Sequence, residues 1–574
     1  RDLIVTGVQT CALPIYGGPG TVYVSQKGVD VANQGWLIVN NNNFTGGNFA
    51  GLVEGEYSFR KLSLKNKGNL TVLGQNSLFT LTTAEAIDGD TSMSQLRTQG
   101  VFSYSGIETL QINGIDINIQ GDIQGVNNFI LGNSLAGGLT LNAFTWAHGI
   151  SDTYLFNSAE IGTSGRLTLN PYNNGNTNWL DDYPLKISFN SLIVASGGRI
   201  TADGLGYGGG SGPGTTSFCD WKRGGAGHGG YGATAECSPG GAPYGNVYEP
   251  ITLGSGNNEG SSRGGGAFRI DVNNLNLNGK ISVNGTGQGS GGSIWLNVNE
   301  IGGIGSIEST SINRSDGNQG GGSGGRIAVY YQNISNSSPF NFNTQINASG
   351  GEGANWVVSN YGGAGTIYIE KVGTDSQHAA KLISDNKGKQ SNGSSALLEG
   401  DYSFSEIRAV AYGHLRILGQ NSRLAIGNGG IIGDGSKPNV MVDGTIDFSG
   451  DGALDVEGIT LTVAGDIINV SNFIIGQSQS AGVKLFANTW AHNQSNQYSF
   501  GDITIGAFGL LTLQPYNNGN SDWTDDYGVT LNLNSLNISN GGGVSSDGLG
   551  YGGNSGPGTT SRSEEHTSEL QSRS

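Results

Sequence analysis

A duplicated loop of aromatic and acidic residues is the feature of this sequence that could best carry chemistry. PYNNGNTNWLDDY begins at Pro171 and returns as PYNNGNSDWTDDY from Pro515. Aromatic rings beside amides and carboxylates can stack on a sugar and hydrogen-bond its hydroxyls, while paired carboxylates can hold calcium through oxygen ligands. The candidate ligand-binding residues are Tyr172, Trp179, Asp181 and Asp182 in the first copy, and Tyr516, Trp523, Asp525 and Asp526 in the second.

The same loop also has a purely structural interpretation. Asn-Asn-Gly-Asn is typical of turns, and the aromatic residues could then cap the underlying fold. The sequence has neither the DxDxDG pattern of a calcium loop nor the nonapeptide repeat of calcium-binding β-helices. It therefore predicts no obligatory cofactor and identifies no metal ligands, but it leaves calcium open at this loop.

No set of a nucleophile, a base and an orienting group is recognisable, so the sequence assigns no catalytic residue. His148 and His492 lie in duplicated TWAH segments, where apolar neighbours favour a packed, hydrogen-bonded histidine. His228 lies in GAGHGGYG, which the glycines predict to be a flexible loop. The Gly-rich runs lack the Lys-Ser/Thr pair and the strand-to-helix context of a phosphate-binding loop.

The amino-acid composition and charge exclude several classes of protein. Of 574 residues 102 are Gly, 13% are charged and 35% are hydrophobic, which favours strands and turns over charge-driven disorder. No run of about 18 apolar residues could span a membrane as a helix. The formal charge of -17 repels phosphate backbones, so nucleic acid is not an expected partner.

Both ends of the chain look foreign to the rest. VTGVQTCALPI from Val5 and RSEEHTSELQS from Arg562 resemble translations of a sequencing adapter, so residues 1–15 and 562–574 are expected to be artefacts and are excluded from fold reasoning. Cys11 lies in the first of these segments. The remaining pair, Cys219 and Cys237, is predicted to form a disulfide, as suits an extracellular protein, with two free thiols as the alternative.

The chain repeats with a period of about 345 residues. GGPGTVYV at Gly17 returns as GGAGTIYI at Gly362, and LGQNS at Leu73 returns at Leu418. The repeat predicts a first unit over 16–360, with an Asn-rich part at 16–185 and a Gly-rich part at 186–360, and a shortened second unit over 361–561.

A shorter motif, two glycines followed by alternating apolar residues, recurs within the Gly-rich part. Alternation with period two indicates strands with one buried face. The strand starts are separated by 26, 33 and 40 residues, which suits one solenoid coil each. The predicted fold is therefore all-β, a right-handed parallel β-helix or β-solenoid with long Gly-rich loops on one side. The predicted starts are Phe268, Ile294, Ile327 and Ile367.

These segments carry a resemblance to a known group of proteins. GGGSGGRIAVYY from Gly320 and ADGLGYGGGSGPG from Ala202 resemble the Gly-rich modules of large repetitive bacterial surface proteins with pectin-lyase-like right-handed β-helices. The resemblance implies a non-enzymatic extracellular or cell-surface protein for adhesion or scaffolding, with a polysaccharide or a neighbouring cell surface as partner. Alternatives are a polysaccharide lyase or glycoside hydrolase and a purely structural stalk or surface coat, and open solenoid ends would allow self-association.

Overall fold

The protein is all-β, and its sheets are predominantly parallel. A single 3-10 turn at Trp523–Asp525 is the one helical element in the described part of the chain. The computed structural model describes residues 3–6, 18–26, 34–44, 48–83, 86–220, 222–258, 260–312, 319–353, 360–375, 380–391, 393–491, 497–520, 522–552 and 556. Most of the two adapter-like ends, Cys11 and His492 lie outside these residues.

The chain forms two compact units, each described here by itself. Unit 1 comprises Arg1–Gln377 and Ser384–Ala396, and unit 2 comprises His378–Ile383 and Leu397–Ser574. The first part of the second sequence repeat, from residue 361 to 377, therefore belongs to unit 1. Two strands, Lys381–Asp385 and Ser395–Leu397, hold residues of both units.

Unit 1 is built on two long stacks of parallel strands. The first stack comprises Leu110–Ile112, Asn128–Leu131, Tyr154–Ile161, Leu185–Val194, Ala267–Leu277, Ser293–Gly302, Arg326–Ile334 and Thr366–Lys371. The second comprises Ala50–Leu52, Leu70–Val72, Ser94–Thr98, Ile115–Ile119, Gly137–Asn142, Gly165–Asn170, Arg199–Thr201, Lys280–Ser282, Ser306–Glu308 and Ile346–Asn347.

Smaller sheets complete unit 1. A parallel sheet contains Glu56–Phe59, Leu78–Leu81, Val101–Tyr104 and Asp122–Gln124. A mixed sheet contains Leu3–Thr6, Thr21–Gln26, Trp36–Asn40, Lys61–Lys65 and Ile87–Asp88. Two antiparallel pairs are Phe218–Cys219 with Lys222–Arg223 and Glu352–Gly353 with Asn360–Tyr361.

Unit 2 also contains two stacks of parallel strands. One contains Asp401–Val410, Arg423–Ile432, Thr445–Phe448, Leu454–Glu457, Ile467–Ile468, Asn472–Ile475, Asp502–Ile505 and Ser535–Ile538. The other contains Leu415–Ile417, Asn439–Val442, Thr460–Val463, Ala481–Phe486, Gly509–Gln514 and Gly543–Ser545. Gln497–Ser499 pairs with Thr530–Asn532, also in parallel.

The predicted spacing of the strands is confirmed by their register. Phe268 pairs with Ile294, Ile294 with Ile327, and Ile327 with Ile367, so the four expected strand starts form one row across the sheet. Their side chains are at most 2% exposed. Each such burial contributes on the order of 1.5–3 kcal/mol, and equal types stacked coil on coil keep the register fixed.

Polar ladders follow the same stacking. Asn142 donates its side-chain amide to Asn118 Oδ1 at 3.2 Å, and Asn170 donates to Asn142 Oδ1 at 2.7 Å. An amide is both donor and acceptor, so identical asparagines on successive coils satisfy one another. The many asparagines of the sequence are therefore structural in part.

One strand is longer than its sequence suggests. NNLNLNG from Asn273 has the alternation and the Asn-Gly turn of a separate short strand, but it continues the preceding strand as Ala267–Leu277. Val272 pairs with Val298 and Asn274 pairs with Glu300, so the extended chain continues through Asn273 without a turn. The next strand in sequence, Lys280–Ser282, belongs to the second stack.

The Gly-rich segment around His228 is buried, and the expected flexible loop is not observed there. Residues 224–230 are all buried outside regular strands. Their backbones bond to other Gly-rich segments, with Gly227 N donating to Gly214 O at 2.9 Å and Gly229 N to Gly324 O at 3.0 Å. A Cβ on Gly324 would overlap the Ala348 carbonyl oxygen. Glycine is thus required because one backbone lies directly against the next.

This packing predicts a sharp difference between two glycines of unit 1. Gly324→Ala should lower the free energy of unfolding by about 1–3 kcal/mol or more, because the added methyl group forces the backbones apart. Gly208→Ala is the matched control, since a Cβ there meets nothing within 4 Å. Urea unfolding of both variants measures the effect, and equal stability of the two would contradict backbone-to-backbone packing.

Candidate functional site

The duplicated loop is closed at its base by the same bridge in both units. The backbones of Tyr172 and Tyr183 exchange two N–H···O bonds, of 3.0 and 3.3 Å, and Tyr516 and Tyr527 do the same at 2.8 and 3.3 Å. The two rings of each bridge lie with centroids 4.8 Å apart. The ten-residue excursion between the two tyrosines is therefore held at its base by both backbone and ring contacts.

The side chains of alternate asparagines hold the loop backbone in place by hydrogen bonds within the loop. Asn174 Oδ1 accepts the Asn176 backbone N–H at 2.9 Å, and Asn176 Oδ1 accepts that of Asn178 at 2.6 Å. In the second copy, Asn518 and Asn520 make the same bonds at 2.9 and 2.6 Å. This is the turn chemistry that the sequence predicted.

The two predicted aspartates of each copy face the loop from its end. Asp181 Oδ2 accepts the side-chain amides of Asn176 at 3.1 Å and Asn178 at 3.4 Å, and Asp182 Oδ1 accepts the Asn174 backbone N–H at 3.0 Å. The structure thus brings the acidic pair and the asparagines together.

The second copy has the same arrangement. Asp525 Oδ2 accepts the amides of Asn518 at 2.7 Å and Asn520 at 3.0 Å, and Asp526 Oδ1 accepts the Asn518 backbone N–H at 3.1 Å. None of the four aspartates forms an ion pair with a basic side chain in the described part of the chain. There is likewise no group of three or more His, Cys, Asp or Glu side chains converging on a metal position among the described residues.

The predicted tryptophan of each loop packs inward. Trp179 lies edge-on to Tyr207 with ring centroids 4.8 Å apart, against a small core that includes Leu253 and Ala267. Trp523 meets Tyr551 in the same way at 5.0 Å. These rings therefore hold the loop against the solenoid.

A buried tyrosine adds to the local electrostatics. Burial raises the pKa of Tyr207 far above its usual range, and the nearby Tyr244, Asp182 and Asp181 raise it further. In the second copy the equivalent Tyr551 donates its hydroxyl to Asp526 Oδ2 at 2.8 Å. The phenol thus stays protonated beside the carboxylates.

A second duplicated feature was not singled out from the sequence as a binding candidate. Trp146 and Trp490, in the two TWAH segments, are 46% and 47% exposed. Each indole N–H donates to a backbone carbonyl 47 residues earlier, Gln99 at 2.8 Å and Asp443 at 2.9 Å. The ring is therefore held in place with much of its apolar surface in water. The duplication of TWAH was the available signal.

His148, in the same segment, is packed as expected. Its Nε2 lies 2.8 Å from Asp122 Oδ1, and its ring stacks on Tyr154 with centroids 4.3 Å apart. In unit 1 Phe144, the residue before the TWAH segment, lies against Tyr172 of the acidic loop with ring centroids 4.7 Å apart. The equivalent His492 is outside the described residues.

His228, itself fully buried, forms part of a polar network. Its Nδ1 lies 2.7 Å from the Gly291 carbonyl and therefore donates, which leaves Nε2 to accept from the Thr252 hydroxyl at 2.8 Å. Arg326, also fully buried, donates to the carbonyls of Tyr244 at 2.8 Å and Ala396 at 2.9 Å. Burial, together with the Arg326 charge, lowers the pKa of His228 to about 3. Nothing in the local sequence indicated this network.

Cys219 and Cys237 are joined by a disulfide, with Cα atoms 5.9 Å apart. Cys219 belongs to the Phe218–Cys219 strand of a short hairpin. The bridge therefore ties this hairpin to the segment that follows the buried glycines.

The His228 network predicts acid sensitivity. An ordinary histidine titrates near pH 6.5 in the unfolded chain but near 3 here, so the unfolded state binds the additional proton between these values. The stability from neutral His228 is complete above pH 6.5 and is lost as pH falls toward 3, by up to a few kcal/mol. Urea unfolding of wild type and His228→Gln across pH 3–7 should show a difference that narrows on acidification. Parallel curves would contradict this.

No helix in the described part of the chain is long and apolar enough to cross a membrane. Both copies of the acidic loop combine ordered amides with carboxylates, and each unit also carries one immobilised, half-exposed indole. Comparison with protein families, curated proteins and solved structures finds no match to this chain.

Proposed function

We propose that this chain is a non-enzymatic, extracellular repetitive surface protein that serves adhesion or cell-surface scaffolding and contacts glycans through Trp146 and Trp490. The observation that supports the proposal is the repetition of one surface feature in both units. Each tryptophan is about half exposed and has its N–H bonded to a backbone carbonyl. Its position is therefore set before any ligand arrives.

An indole that is held in this way is suited to stacking on a sugar ring. Its donor is already used, so the exposed part of the ring offers apolar surface that stacks on the C–H face of a pyranose. Because the ring is held in advance, binding costs little side-chain entropy. Two such rings on one chain gain through multivalency, where each single contact is weak.

The finer fold belongs to the same proposal. Parallel strands joined by crossover connections are almost always right-handed, which supports a right-handed parallel β-helix. A disulfide between Cys219 and Cys237 is typical of an oxidising, extracellular compartment. A strongly acidic, repetitive chain of this kind suits a cell surface, where solubility and multivalent contact both matter.

The proposal predicts loss of glycan binding on removal of the indoles. Trp146→Ala or Trp490→Ala should weaken apparent binding about 10- to 100-fold, because the multivalent gain is lost, and the double variant should not bind detectably. Biolayer interferometry against plant, algal and bacterial polysaccharides measures this. Phe508→Ala is the control, since Phe508 is 57% exposed and has no aromatic equivalent in unit 1.

Other outcomes of that panel overturn the proposal. Wild-type binding that survives in the double variant places the glycan contact at residues other than these two tryptophans. No binding to any polymer leaves a structural stalk or coat. Release of new sugar ends that disappears when Asp181, Asp182, Asp525 and Asp526 become Asn would make the chain a polysaccharide lyase or hydrolase.

A further inference from the structure

Three apolar side chains in two strands of unit 2 are exposed although their equivalents in unit 1 are buried. Leu536 and Ile538, on Ser535–Ile538, are 45% and 43% exposed, and Val544, on Gly543–Ser545, is 38% exposed. In the sequence repeat, NSLNI from Asn534 corresponds to NSLIV from Asn190. The equivalents in unit 1 are fully buried, and they are Leu192, Val194 and Ile200.

In unit 1 the next coil, residues 267–282, covers these positions. Leu192 pairs with Leu275 in the first stack, and Ile200 pairs with Ile281 in the second. Leu275 and Ile281 are themselves at most 3% exposed. A single coil of strand, turn and strand therefore covers the apolar positions of both stacks.

The turn of that coil also satisfies the backbone beneath it. The Val194 carbonyl accepts the backbone N–H groups of Asn278 at 2.8 Å and Gly279 at 3.0 Å. A Cβ on Gly279 would overlap the Gly198 carbonyl oxygen, so glycine is required where the turn lies against the coil below. The Asn-Gly turn is therefore a specific part of this contact.

The corner beneath that turn is built alike in both units. Gly198 N donates to Ala195 O at 2.8 Å, and Gly542 N donates to Ser539 O at 2.9 Å. In unit 2, however, the two strands that flank this corner are the last of their sheets within the described residues. Their outer N–H and C=O groups form an open edge, to which a further strand can pair.

We propose that these two strands of unit 2, Ser535–Ile538 and Gly543–Ser545, form a docking edge for a β-coil of another polypeptide chain. The coil has apolar residues at alternate positions, an Asn-Gly turn and a second short strand, as residues 267–282 have in unit 1. Backbone hydrogen bonds of an added strand supply affinity, and its alternate side chains supply specificity. The register follows unit 1, with Leu275 of the coil opposite Leu536.

Fluorescence anisotropy of a labelled synthetic peptide of residues 266–284, titrated with the full chain, tests this directly. The expected result is saturable binding that becomes at least about 10-fold weaker in Leu536→Asp with Ile538→Asp, because docking would bury two unpaired charges. Leu155→Asp is the control and should not change binding. Leu155 is 74% exposed, but both edges of its strand in unit 1 are already paired.

Variants of the peptide test the register and the turn. Leu275→Asp with Leu277→Asp should abolish binding, and Gly279→Val should weaken it at least about 10-fold, because a side chain at the turn overlaps the backbone below. Hydrogen exchange of the full chain should slow in Ser535–Ile538 and Gly543–Ser545 when the wild-type peptide is bound.

Several outcomes overturn the proposal. These are no binding of the peptide, equal binding of a scrambled peptide of the same composition, and binding that survives Leu536→Asp with Ile538→Asp. Dimers of the unmixed chain in analytical ultracentrifugation that the same substitutions disperse would assign the edge to a second copy of itself, and so overturn the assignment to a coil. None of these readouts depends on glycan binding.

Discussion

Direct contact between glycine backbones is the constraint on which unit 1 depends. Where Gly225, Gly229 and Gly324 approach their neighbours, a side chain of any size would overlap a backbone atom of the facing segment. The backbone N–H and C=O groups then bond across segments that belong to no regular strand. Such an interior gains little from apolar side chains, so its cohesion comes from satisfied backbone groups and close van der Waals contact. The Arg326 and His228 network is buried within the same region.

The parallel stacks supply the complementary part of the fold. Ile294, Ile327 and Ile367 stack in one row, and asparagine ladders such as Asn118, Asn142 and Asn170 run along another. Both are ways of placing equal side chains on successive coils. The duplicated loops lie outside these rows as excursions, and the bridge between Tyr172 and Tyr183 returns the chain to the next coil. The residues of these loops can therefore change without altering the register of the stacked strands.

The sequence was sufficient for the features that depend on periodicity. Alternation of apolar residues predicted strand starts such as Phe268 and Ile294, each one residue after the observed start, and these two residues pair with each other. It did not reveal that GAGHGGYG is buried, because glycine fits an open loop and a close backbone contact equally well. Nor could it show that Thr21–Gln26 pairs in antiparallel fashion while its repeat Thr366–Lys371 pairs in parallel, since pairing depends on which strand lies alongside. The residues of the acidic loop are neighbours in the sequence, but the inward packing of Trp179 depends on Tyr207, which is distant in the chain.

Regular secondary structure and burial of backbone amides usually occur together. In the buried glycine segment the amides are buried without regular secondary structure. Residues 224–230 have no regular secondary structure, so circular dichroism would count them as irregular, yet their amides are buried and several bond to other segments. Amide hydrogens in such a setting exchange only when the surrounding structure opens. We therefore expect the amide hydrogens of this region to exchange as slowly as those of the central strands. A spectroscopic estimate of order would therefore miss part of the most protected backbone in unit 1.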